Sequence, residues 1–160
     1  MSATASMMVG VVVERRQAVT RWADALWRPV AVLAGLPDAA PGTALGSDGP
    51  AERFYAGASE MALHRTDTAT YRDNLATGAP RMWVCARLGE GPVPLTIVGV
   101  TADPAEGESF TEAGDDIVES VPMPAEIAAF VAAFVAAHHV ERPFLKRRRK
   151  NWTPEDDEDE

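Results

Sequence analysis

The chain has 160 residues, of which 46% are hydrophobic and 24% are charged, as in an ordinary globular domain. Its formal net charge of -9 disfavours binding to the phosphate backbone of nucleic acid. The single cysteine, Cys85, excludes an intramolecular disulfide and suits a reducing compartment. No stretch reaches the roughly 20 apolar residues that span a bilayer, so we expect a cytoplasmic protein without a membrane span.

Valine-rich and alternating stretches predict the β-strands. They lie at residues 8–14, 30–33, 53–64, 81–88 and 95–101. Alternation is clearest in the fourth, where Met82 and Val84 face one way and Trp83 and Cys85 the other. Short connections between these strands favour antiparallel pairing.

Three helices are predicted from caps and apolar spacing. The first covers residues 68–77, and the second starts with Asp103 as N-cap, Pro104 in the first turn and Glu106 reaching back to the cap N–H. The third covers residues 124–138 and is apolar almost all round. We expect this helix to be buried on nearly every side, or else to present its alanine face to a partner.

These elements predict an α+β fold with a mainly antiparallel sheet of about five strands and two to three helices packed on one face. Residues 8–145 form a single domain in this interpretation. Residues 146–160 form a disordered, charged tail, with a basic run at 146–150 followed by an acidic run at 155–160.

The usual reactive side chains do not form a recognisable catalytic or metal site in the sequence. His138 and His139 are adjacent at a helix end, and His64 is isolated, so a structural or surface role is favoured over metal binding. Cys85 lies in a strand without a predicted base beside it, which favours a packed thiol over a nucleophile. We therefore predict no catalytic residue and no metal ligand.

Two pairs of tryptophan and arginine are the most distinctive local feature. They are Arg21 with Trp22, and Trp27 with Arg28, in a segment predicted to be a loop. Tryptophan and arginine are enriched at binding hot spots, and both stack on flat ligands. The alternative is that the tryptophans close one end of the core with the arginines at its rim.

Several segments together carry a resemblance to a known family. They include VVVERR at 11–16, WRPVAVL at 27–33, FYAG at 54–57, DIVESVPMP at 116–124 and HHVERPFLKR at 138–147. With Tyr71 and Asn74, they resemble an uncharacterised proteobacterial family, a domain of unknown function. Such proteins tend to be encoded beside formate dehydrogenase and molybdenum-cofactor genes.

The resemblance implies a non-catalytic accessory protein that helps to mature a formate dehydrogenase. Its partner would be a subunit of that molybdoenzyme or an assembly factor, and no cofactor would be needed. A second hypothesis is an enzyme or carrier for a molybdopterin-type ligand or a nucleotide. This ligand would stack on Trp22 or Trp27, with its phosphates on Arg21 and Arg28. A third is a regulatory domain that forms a homodimer through helix 124–138.

Overall fold

The computed structural model describes residues 4–17, 25–112 and 114–139 of the chain. Within them, seven strands are β1 (Thr4–Arg16), β2 (Leu26–Leu33), β3 (Ala44–Asp48), β4 (Ala51–His64), β5 (Arg81–Leu88), β6 (Leu95–Thr101) and β7 (Ile117–Pro122). Three helices are α1 (Thr68–Ala76), α2 (Pro104–Thr111) and α3 (Ala125–His138). The predicted α+β class is confirmed.

The strands form two antiparallel sheets, in the orders β2-β1-β4-β3 and β6-β5-β7. β4 also contacts β6, and β2 contacts β7, so the edges of the two sheets meet on both sides. The two sheets therefore enclose one shared core. Strand β1 is central to the first sheet and β5 is central to the second.

The core is built from alternate residues of the strands and from one face each of α1 and α3. Val9, Val11 and Val13 of β1 are fully buried, as are Met82 and Val84 of β5. Tyr71 of α1 meets Phe134 of α3 edge-on at 6.2 Å between ring centroids. One continuous cluster of buried side chains thus joins both sheets to these two helices.

Helix α2 lies on the other face of the second sheet, over Trp83. A Cβ atom at Gly107 would overlap the indole ring of Trp83, so only glycine lets the helix approach this closely. Phe110 of the same helix rests on Gly99 of β6. The side of β5 that carries Trp83 and Cys85 is therefore covered by α2 and the chain that follows it.

The strands differ from the sequence-based prediction in extent and number. β3 and β7 lie outside the strands that the sequence predicts. β2 begins at Leu26 rather than residue 30, so Trp27 and Arg28 are strand residues and not loop residues. Both strands are short, and β3 has only one large apolar residue, Leu45, so it carries no alternating pattern.

The caps of α2 are confirmed in part. Oδ1 of Asp103 accepts a hydrogen bond from the N–H of Ala105 at 2.9 Å, and Pro104 opens the helix. Glu106 does not reach the N–H of Asp103, as a capping box would require. Instead, the hydroxyl of Thr101 accepts from that N–H at 3.0 Å and donates to Oε1 of Glu106 at 2.6 Å.

The expectation that α3 is buried nearly all round is wrong. Its buried residues are Ile127, Val131, Phe134 and Val135, which lie on one face. The opposite face is exposed and consists of Ala125, Glu126, Ala129, Ala132, Ala133, Ala136 and Ala137. We call the alanines of this set the alanine face.

The charged runs at 146–160 lie outside the described residues, so the disordered tail stays a prediction. Among the described residues, none of the helices has both the length and the apolar character that crossing a membrane requires.

Asn74 links α1 to one end of the second sheet, where β5 begins and β6 ends. Its side-chain amide donates to the carbonyl oxygens of Arg81 at 2.8 Å and of Ala102 at 3.0 Å. Its Oδ1 accepts from the N–H of Arg81 at 3.0 Å. Only 5% of Asn74 is exposed, so its amide makes these three bonds from a buried position, and the bond to Ala102 is itself buried.

We expect the substitution Asn74→Asp to lower the free energy of unfolding by about 2–4 kcal/mol at neutral pH, because a carboxylate would face two buried carbonyl oxygens. Urea denaturation followed by circular dichroism measures this loss. The control is Asp73→Asn at the exposed neighbouring position, for which we expect a change within about 0.5 kcal/mol. Equal stability of the two variants would contradict the role given to Asn74.

Candidate functional site

The predicted binding residues fall in different places. Arg21 and Trp22 lie outside the described residues. Trp27 and Arg28 are consecutive in β2 and therefore face opposite sides of the first sheet. The ring of Trp27 packs on Phe54, at 5.5 Å between centroids, and against the core. A flat ligand stacked on Trp27 would thus lie across the sheet from Arg28.

Arg28 contacts a buried carboxylate on the outer face of the first sheet. Glu14 lies in the middle of the sheet, and its side chain is only 5% exposed. Its Oε1 is 3.5 Å from Nε of Arg28 and 3.6 Å from Nε of Arg16. The side chains of Arg28 and Arg16 are about half exposed, at 51% and 46%, so each extends from the buried carboxylate to the surface.

The register of the sheet explains this convergence. Glu14 of β1 is paired with Arg28 on one side and with Arg53 on the other. Paired residues of antiparallel strands place their side chains on the same face, and so does Arg16, two positions along β1. Arg53 is exposed. We call Arg16, Arg28 and Arg53 the arginine surface.

The carboxylate of Glu14 is incompletely satisfied. Its Oε1 is buried and has no hydrogen-bond partner among the described residues, because both Nε contacts are too long for a hydrogen bond. A buried polar atom without a partner costs free energy and is unusual in a folded protein. The two nearby positive charges offset part of this cost.

The sequence contains a signal for this cluster that the prediction did not use. Glu14 directly follows three valines, Val11 to Val13, and this apolar run predicts a buried strand. A carboxylate at a buried strand position needs cationic partners, and here these are Arg16 of the same strand and Arg28 of the neighbouring strand. Arg16 follows it in sequence, but Arg28 and Arg53 are identified only through the strand register.

A second polar site is a cavity of about 200 Å³ between β4, β6 and α2. It is lined by Glu60, His64 and Glu106, with Phe110 as an aromatic wall. Partial burial raises the pKa of nearby Asp67, and the negative charge of Asp103 raises it further. No group of metal-binding side chains is found among the described residues. This cavity was not predicted.

Cys85 is a packed thiol. It is 2% exposed, and its Sγ lies 3.6 Å from Oδ2 of Asp116. Burial raises the pKa of Cys85 to about 11, and the charge of Asp116 adds to the effect. Arg87 holds the same carboxylate through two hydrogen bonds, of 2.9 and 3.1 Å, which lowers the pKa of Asp116. The thiol is thus protonated at neutral pH and a poor nucleophile.

The histidines and Tyr71 have structural contacts. Nδ1 of His139 is 2.9 Å from the hydroxyl of Thr68. The ring of His138 packs on Phe134, at 4.6 Å between centroids. The hydroxyl of Tyr71 accepts from the N–H of His64 at 2.9 Å, and burial raises the pKa of Tyr71 to about 12. The Tyr71 bond thus joins α1 to the end of β4, and the His139 contact joins the end of α3 to α1.

The described residues thus place a buried carboxylate beneath surface arginines, on an α+β scaffold of two antiparallel sheets. The chain belongs to the family of proteins of unknown function DUF3305, whose family model matches residues 8–149. No curated protein and no solved structure matches the chain.

The arginine surface makes a prediction about stability. We expect Arg16→Ala with Arg28→Ala to lower the free energy of unfolding by about 1–3 kcal/mol, because Glu14 loses both charges that compensate its burial. Adding Glu14→Gln to this double variant should restore a measurable part of the lost free energy of unfolding, since a neutral amide is less costly to bury than a charge. Chemical denaturation of the double and triple variants measures both effects.

The control for this experiment is Arg15→Ala. Arg15 pairs at 3.2 Å with Glu52, whose side chain is 52% exposed, so its loss should change stability by less than about 1 kcal/mol. A triple variant no more stable than the double variant would show that the charge of Glu14 is not what the two arginines compensate.

Proposed function

We propose that this protein is a non-catalytic accessory protein that helps to mature a formate dehydrogenase, and that it acts by binding a protein partner. The link to formate dehydrogenase rests on the resemblance carried by segments such as VVVERR at 11–16 and WRPVAVL at 27–33. The proposed partner is a subunit of the molybdoenzyme or one of its assembly factors. Membership of a family of unknown function is compatible with this role.

The observation that carries the proposal is the arginine surface. Arginine is enriched among the residues that dominate protein–protein affinity. Here two arginines are held by a buried carboxylate, so a partner binds side chains that are already partly ordered. The surface belongs to the outer face of a sheet, which suits contact with a macromolecule better than enclosure of a small ligand.

Other polar groups of the described chain serve the fold. Asn74, Tyr71, Thr101 and Asp103 make hydrogen bonds that join or cap elements. Trp27 contributes to the core instead of facing the same side as Arg28. These placements favour a protein that works through its surface.

The test is a pull-down from cells grown with formate, combined with a deletion strain. The tagged wild-type chain should retain a named formate dehydrogenase subunit or assembly factor, and Arg28→Gln with Arg53→Gln should retain several-fold less. Arg65→Gln, at an exposed position on a different element, is the matched control. Normal formate dehydrogenase activity in the deletion strain, with no such protein recovered, would refute the proposal.

A second candidate is a domain that forms a homodimer, and the alanine face favours it. Six exposed alanines cover one side of α3, and Glu126 is the only charged residue among them. Small side chains allow two helices to approach closely, and few charges must be desolvated.

Sedimentation velocity tests the second candidate. The wild-type chain should sediment as a dimer at micromolar concentration, and Ala132→Glu should convert it to a monomer by burying a charge in the contact. Ala79→Glu, at an exposed position outside any helix, should leave the dimer unchanged. A strict monomer for the wild-type chain would eliminate this candidate.

A further inference from the structure

We propose that the arginine surface binds an acidic, carboxylate-rich peptide segment in an extended conformation. This inference rests on the proposed function, because it states the chemistry of the partner segment that the surface recognises. It differs from the hypothesis of a molybdopterin-type ligand or a nucleotide, in which the ligand stacks on Trp22 or Trp27 with its phosphates on Arg21 and Arg28.

The local charge is opposite in sign to that of the whole chain. The chain carries a formal charge of -9, yet three arginines surround one carboxylate on this part of the outer face. Glu14 is buried, so the exposed charge there is that of the guanidinium groups. An acidic segment is attracted to such a surface and repelled by the net negative charge of the rest of the chain, so electrostatic forces steer it towards the arginines.

The spacing of the three arginines fits an extended peptide. Arg28 and Arg53 lie on the two strands that flank β1, which places their Cα atoms roughly 10 Å apart at the usual spacing between strands. Arg16 is two residues from Glu14 along β1, or about 7 Å. Carboxylates on alternate residues of an extended chain are also about 7 Å apart. Such a segment can therefore reach more than one arginine at a time.

The geometry around Glu14 leaves the binding edge of each guanidinium available. In both ion pairs the nitrogen next to Glu14 is Nε. A carboxylate ligand binds arginine best through two parallel N–H bonds, and the terminal nitrogens of Arg16 and Arg28 supply these. Glu14 thus acts as a positioning residue that restricts the two side chains before the ligand arrives.

Leu26 adds an apolar contact beside the charges of the arginine surface. It is 58% exposed and paired with Arg16.

The experiment is a titration of the purified full chain with a short fluorescein-labelled peptide of alternating glutamate and serine, followed by fluorescence anisotropy. Arg53→Gln should weaken binding roughly three- to five-fold, the effect of one exposed ion pair. Arg28→Gln with Arg53→Gln should weaken it further. Arg65→Gln should leave it unchanged. Arg53 makes no ion pair with any described residue, so its substitution separates binding from stability.

Three outcomes would overturn the proposal. One is equal binding by wild type and Arg53→Gln. Another is equally tight binding of a labelled single-stranded RNA, because the surface would then recognise any polyanion. The third is an increase in affinity for the peptide of more than about five-fold when the carboxylates at 155–160 are neutralised in the full chain. Such an increase would show that the chain's own acidic run occupies the arginine surface.

The pull-down and the peptide titration test the biological role and the recognised segment separately. If the peptide does not bind but a formate dehydrogenase subunit is retained in the pull-down, the function stands and the acidic segment is wrong. If the peptide binds and no such subunit is retained, the recognition chemistry stands and the biological role is wrong.

Discussion

The interaction on which the rest of the account depends is the burial of one carboxylate, Glu14, within the first sheet. A charge at this position is tolerated only if cations lie beside it, and strand pairing supplies them from β1 and β2. The consequence reaches the surface, because long arginine side chains that compensate a buried charge also present half of their area to solvent. Stability and recognition at this site thus have the same physical origin.

Neutral hydrogen bonds join helix α1 to both sheets. Asn74 ties α1 to the start of β5 and the end of β6, and Tyr71 ties α1 to the end of β4. Because α1 packs on α3, these bonds also help to position the helix that carries the alanine face. The fold therefore presents two separate surfaces, one cationic and one apolar, which correspond to the two functions proposed.

Local signals predicted the helices well and the sheets less completely. The cap at Asp103 and the apolar spacing of α3 depend on neighbours within a few residues, so they are visible in one sequence. β3 and β7 are short and lack a repeating pattern, and their formation depends on pairing with distant strands. The burial of α3 was overestimated because alanine is compatible with both a core and an exposed helix face.

Only part of the candidate site was predictable, because it too depends on pairing between strands that are distant in sequence. Arg28 was selected from its neighbour Trp27, but the strand places these two residues on opposite faces. Glu14, Arg16 and Arg53 become a site through the register between β1, β2 and β4, which the sequence does not reveal.

The most direct measurement follows the side-chain Nε–Hε signals of the arginines by nuclear magnetic resonance while the glutamate–serine peptide is added. We expect shifts for Arg16, Arg28 and Arg53 and none for Arg65; equal shifts for all four, or none at all, would contradict peptide binding at the arginine surface.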